Sequence, residues 1–125
     1  MCFIITIDIT MFDFEKLDIY QVLRELNYKV YIFLNEHKDI DEYINTQWKK
    51  ASQSSVLNLV EGTGRMANAD KKHFLTISRG SIFECVAILQ QLFDLGKIDS
   101  KAYEEFYQKY EQASKMLLGM YRSYN

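Results

Sequence analysis

With 125 residues, no proline, five glycines and 26% charged side chains, the chain is sized for one domain and composed for long helices rather than a loop-rich sheet. A net charge of −2 excludes a general attraction to nucleic acid or an anionic membrane, so any such binding has to come from a local cluster. The two cysteines, Cys2 and Cys85, form neither a disulfide framework nor a metal-ligand pair, and a reducing cytoplasm is the expected setting.

The chain opens with MCFIITIDIT, apolar and β-branched but interrupted by Asp8, with no basic leader and no small-residue cleavage site. Residues 1–11 read as a short N-terminal arm or an upstream-extended start, with Met11 an alternative initiator. They are too short to cross a bilayer, and no later run reaches the roughly 18 apolar residues that crossing requires, so a soluble protein is expected.

Residues 12–125 read as one domain of four helices. The first spans about Asp13 to His37, with Ile19, Leu23, Leu26, Val30 and Phe33 at three- and four-residue steps and Val22, Tyr31 and Leu34 widening the stripe. Asp39 or Asp41 caps a second helix that runs to about Arg65, where Gly62 and Gly64 mark its end. Asn68 or Asp70 caps a third, whose inward line is expected to be Phe74, Ile77, Ser81, Cys85, Ile88, Leu92 and Leu95, with Gly96 at its C-terminus. Asp99 or Ser100 starts a fourth carrying Tyr103, Phe106, Tyr107, Tyr110, Ala113, Leu117, Met120 and Tyr124. Short connections between helices of this length predict an all-α, antiparallel up-and-down four-helix bundle.

The third helix has a second apolar stripe, Leu75, Ile82, Val86, Leu89 and Phe93, and Leu118 and Tyr121 lie off the main line of the fourth. An isolated bundle would leave such surface wet, which predicts a homo-oligomer; a thick core with partly exposed aromatics is the alternative.

Catalytic signatures are lacking. Di-iron bundles need Glu-x-x-His on two helices, but of the two histidines here His37 has Leu34 at the Glu position and His73 has Asp70, so Asp70-x-x-His73 is the one near match and no catalytic metal site is expected. Gly62-Thr63-Gly64 ends a helix, whereas a phosphate-binding loop needs its glycines between a strand and a helix start. A non-enzymatic protein without metal or cofactor is expected.

The stretch SSVLNLVEGTGR, residues 54–65, is unusually polar for a helix in so apolar a chain. Ala51, Ser54, Ser55, Asn58 and Gly62 share a face that would let a neighbouring helix approach closely. A matching patch of Gly80, Ser81 and Glu84 is expected to face it, with Asn58 and Ser81 hydrogen-bonded and Arg65 or Arg79 neutralising Glu61 or Glu84. Asn58 or Glu61 should then be largely buried. A polar ligand pocket at the same place is the functional alternative.

The run Gln47-Trp48-Lys49-Lys50-Ala51-Ser52, then Ser54, then Asn58-Leu59-Val60-Glu61-Gly62-Thr63-Gly64-Arg65, followed by Phe74, Leu75 and Gly80-Ser81-Ile82-Phe83-Glu84, resembles the four-helix-bundle family of 23S rRNA intervening-sequence proteins. The family pattern is similar to QLRRAxxSIxxNIAEGxGR, a Phe-rich stretch and GSLxE. Phe14-Glu15-Lys16-Leu17-Asp18-Ile19-Tyr20 and Lys115-Met116-Leu117-Leu118-Gly119 are similar to its first- and last-helix signatures, so the likeness spans about residues 12–124. Trp48 stands where Leu is usual and Ser55 where Ile is usual. The resemblance implies a left-handed antiparallel bundle assembled as a ring-like homopentamer, with no established enzymatic activity. Some members are encoded inside intervening sequences of ribosomal RNA genes. A related branch, the accessory variability proteins of diversity-generating retroelements, is strongly basic, binds nucleic acid and associates with a reverse transcriptase.

Charge is unevenly spread. Residues 1–37 carry three basic and six acidic groups, 38–80 seven and five, and 81–125 five and six. Lys49, Lys50, Arg65, Lys71, Lys72 and Arg79 therefore form the candidate contact to RNA or DNA, repeated around a ring, with no aromatic interleaving expected among them. A solvated basic face is the structural alternative. A scaffold binding a protein partner without nucleic acid is the functional one.

Overall fold

A computed structural model describes residues 12–125, and the arm expected over residues 1–11 lies outside the described residues. The described chain is helical throughout: α1 (Asp18–Glu36), α2 (Glu42–Thr63), α3 (Asn68–Asp94) and α4 (Ser100–Ser123). The first expected helix begins five residues late. Asp13–Lys16 form a separate 3₁₀ turn, and Leu17 is extended, with φ −81° and ψ 127°, before α1 starts. Glu15 holds the turn by accepting from the Phe12 amide at 3.0 Å, and Phe14 packs edge-on against Tyr20 at 4.8 Å.

At the other helix starts, Asp41 holds the N-cap position of α2 without a side-chain cap bond, whereas Asp99 caps α4 by accepting from the Ala102 amide at 2.8 Å. Neither Asn68 nor Asp70 caps α3; Ala67 holds that position and Asn68 is the first helical residue. Gly96 ends α3 at φ +70°, with Gly96 N–H donating to the Phe93 carbonyl and Lys97 N–H to Leu92 at 2.9 Å. That pair of bonds is the Schellman arrangement, which needs a residue free to be left-handed. Lys97 also donates to Asp39 at 3.3 Å, tying the two turns at this end together.

Each helix packs against its chain neighbours, and α1 closes the square on α4; the diagonal pairs are not backbone neighbours. Cross-helix contacts show the alternating direction: Ser55 meets Ser78 while Gly62 meets Lys71, and Arg79 meets Ser114 while Lys72 meets Tyr121. The fold is the all-α four-helix bundle expected.

The core contains the expected α1 line, Ile19, Leu23, Leu26, Val30 and Phe33, together with Leu34, and the α4 line Phe106, Tyr110, Ala113 and Leu117. In α3 the phase differs from expectation. The inward positions are Leu75, Ser78, Ile82, Cys85, Leu89 and Leu92, with Ser81 also buried, whereas Ile77 and Leu95 face outward. Three members of the stripe expected to be surplus are thus core, and Phe93 alone of that stripe is exposed. α3 is apolar at so many angles that its own period does not select a face; contact with α2 on one side and α4 on the other selects it.

At the centre, Trp48 is fully buried and reaches across the bundle diagonal, its indole Nε1–H donating to the Tyr110 hydroxyl at 3.0 Å. Phe106 lies 5.2 Å from the Trp48 ring and Phe33 5.8 Å. Burial pushes the Cys85 thiol, adjacent to Tyr110, up to about 12 and raises the Tyr110 phenol as well.

Candidate nucleic-acid interface

The polar stretch of α2 meets α3, but through serines. Ser81 Oγ donates to Ser54 Oγ at 2.8 Å, and the buried Ser78 Oγ donates to the Ser55 carbonyl at 2.6 Å. Ser55 in turn donates to the Ser52 carbonyl, and Ser52 reaches α1 by donating to Asn27 Oδ1 at 2.8 Å. Among the described residues no buried side-chain nitrogen or oxygen lacks a partner. Ser78 escaped the sequence reading, although Leu75, Ser78, Ile82 and Cys85 have the right spacing.

Other members of the expected patch part company. Asn58 is half-buried and donates within its own helix, to the Ser54 carbonyl at 2.9 Å and its hydroxyl at 3.0 Å. Glu61 is exposed and pairs with Arg65 at 3.8 Å, one helical turn on, the expected neutralising pair; of the two side chains of which one was expected to be largely buried, Glu61 faces water and Asn58 is half-buried. Glu84 is also exposed and has no basic partner within salt-bridge distance among the described residues. Gly62 does mark a close approach: a Cβ there would lie 3.1 Å from Phe74 Cβ and 3.3 Å from the Lys71 carbonyl. Gly80 does not, since a Cβ there would meet nothing within 4 Å. Gly64 closes α2, its amide donating to Glu61 and Val60 carbonyls.

The six candidate cations occupy two regions. Lys49 lies 5.2 Å over the Tyr31 ring and shares the outer α1–α2 groove with the exposed Lys50. Arg65, Lys71, Lys72 and Arg79 gather at the α2–α3 turn and along the side of α3 that faces α4. Lys71 closes the end of α2, donating to the Thr63 carbonyl at 3.2 Å, where the negative end of the helix dipole favours a cation.

Aromatic rings do interleave with the second group, contrary to expectation. Arg65 lies over Phe74 at 4.6 Å, Lys71 over Tyr124 at 5.9 Å, Lys72 over Tyr121 at 4.6 Å and Arg79 over Phe83 at 4.9 Å. Two of these rings come from the end of α4, some fifty positions away in sequence, which is why no local spacing announces them. Arg79 is further anchored to α4, its Nε–H donating to Ser114 Oγ at 3.1 Å and the Ser114 carbonyl at 3.3 Å.

Fold and surface together define a small helical bundle with a basic, aromatic-backed face. The chain belongs to the 23S rRNA-intervening sequence protein family, whose model matches residues 15–119. A crystal structure of a protein of unknown function from the S23 ribosomal protein family of Bacteroides thetaiotaomicron VPI-5482 shares the fold, with a TM-score of 0.76 at 19% identity, covering 82% of this chain and 97% of that one. No curated protein matches the sequence. Among the described residues no helix is long and apolar enough to cross a membrane, and no three His, Cys, Asp or Glu side chains converge as metal ligands would.

Proposed function

We propose that the protein is a non-catalytic homo-oligomer, with a pentamer favoured, that binds RNA or DNA through Arg65, Lys71, Lys72 and Arg79, aided by Lys49 and Lys50. The observation that carries this is uncompensated charge. Residues 65–80 hold four basic groups against one acid, Asp70, and of the six cations only Arg65 has a carboxylate within 4.0 Å among the described residues. Repetition of such a face in an oligomer multiplies phosphate contacts that are individually weak. Outward-facing Tyr43, Leu57, Phe93 and Leu95 supply apolar surface for self-association.

Fluorescence anisotropy with structured RNA and duplex DNA tests the binding. Affinity should fall steeply as salt rises, and replacing Lys49, Lys50, Lys71 and Lys72 with Gln should weaken it while helicity is retained. No binding at about 50 mM salt overturns the nucleic-acid function. A monomer in sedimentation at micromolar concentration overturns the oligomer. A scaffold engaging a protein is the second reading, favoured by an open groove of about 500 Å³ between α1 and α4, walled by Leu26, Ile32, Phe33 and Phe106.

A further inference from the structure

The α3–α4 seam contains two adjoining hollows with Arg79 and Phe83 between them. The first, about 290 Å³, is walled by Leu75, Leu117, Leu118 and Tyr121. The second, about 330 Å³, is walled by Ile82, Val86, Tyr107 and Tyr110, with Glu111 and Lys115 at its side. Arg79 is fixed between them: Ser114 takes its Nε–H, and its guanidinium lies over Phe83 at 4.9 Å. Its terminal nitrogens have no hydrogen-bond or carboxylate partner among the described residues, which leaves a held, planar donor pair of the kind that matches a phosphate. Phe83 is 56% exposed, so its ring is reachable from the hollows on either side.

Resting on the nucleic-acid function proposed above, we infer that this seam binds single-stranded nucleic acid, with one phosphodiester on the terminal nitrogens of Arg79 and the two flanking bases in the hollows. Alternation of a cation with apolar, aromatic-walled recesses matches a chain whose charge and ring alternate in the same way. A duplex presents phosphates but keeps its bases stacked inside, so it could use Arg79 and Lys72 yet leave both hollows empty.

The test uses the full chain with a fluorescein-labelled ten-nucleotide oligo(U) and an RNA hairpin of the same length at equal salt. Oligo(U) should bind about tenfold tighter than the hairpin, and Arg79→Lys, which keeps the charge but loses the fork and its anchor, should weaken oligo(U) about tenfold. Lys101→Gln, at the exposed start of α4 and outside the basic face, should change oligo(U) binding no more than twofold. Phe83→Trp supplies a second readout, since its emission should be quenched by oligo(U) and not by the hairpin, while the buried Trp48 stays constant. Equal affinity for hairpin and oligo(U), or equal losses for Arg79→Lys and Lys101→Gln, overturns the single-strand site but leaves the basic face standing. No binding of either probe at about 50 mM salt overturns both. A changed sedimentation coefficient in Phe83→Trp shows that a second copy covers the seam and also overturns the site.

Discussion

α3 has a seam with α2 on one side and with α4 on the other, and the two are built from side chains of opposite size. Against α2, between Ser54 and Gly62, serine hydroxyls bond directly across the helices and the glycine admits the first two turns of α3, Phe74 Cβ coming to 3.1 Å from where the glycine's Cβ would be. Against α4, Arg79 and Phe83 meet Ser114, Tyr107 and Tyr121, and the surface side of the seam stays open as two hollows. Small residues let the backbones close, and among the described residues every buried side-chain polar atom has a partner. Large ones fill the core but splay at the rim, leaving recesses that a ligand can use. One seam therefore organises the fold and the other offers a surface.

Removing what joins the two seams should have the largest effect. Trp48 spans the diagonal to Tyr110, so Trp48→Ala should cost about 3–5 kcal/mol in urea unfolding, combining the cavity with the lost hydrogen bond to Tyr110. Next, Ser78→Leu would overfill the closed seam and should cost about 1–3 kcal/mol, whereas Phe83→Leu in the open seam should shift stability by no more than about 0.5 kcal/mol. Equal costs would show that the seams do not differ as described.

Alkaline titration probes the core between the seams. Burial raises Cys85 from the ordinary 9.0 to about 12 and moves Tyr110 in the same direction, so the unfolded chain releases these protons first. Stability should be intact below about pH 9 and decline above it, by up to about 1.4 kcal/mol per pH unit for each group. Urea midpoints between pH 8 and 11 measure the slope, which Cys85→Ala should reduce. The smallest contrast is between two glycines. Gly62→Ala should destabilise by about 1 kcal/mol, because a carbonyl 3.3 Å away cannot move aside, while Gly80→Ala should stabilise by about 0.5–1 kcal/mol. If Gly62→Ala also stabilises, the close approach is not tight.

The helix count, the α1 and α4 core lines, the glycine at the end of α3 and the Asp99 cap were legible because each depends on neighbours within a turn or two. The six cations could be found by their clustering, but the rings beneath them could not. Tyr121 and Tyr124 reach Lys72 and Lys71 only because α4 runs antiparallel to α3. The polar pair Asn58 and Glu61 was legible only as a choice: Asn58 is half-buried, while the position of Glu61 on α2 points it to water beside Arg65, the partner its spacing offers.

By itself, the sequence determined that this chain forms four amphipathic helices with small residues gathered near the end of the second, since propensity, capping and hydrophobic period are local properties. Only tertiary structure decided which face of α3 turns inward, that Ser78 rather than Asn58 joins the helices, and that Arg79 is held between two hollows. A helix apolar on several sides has no preferred face until its neighbours are in place, and a groove belongs to two helices at once.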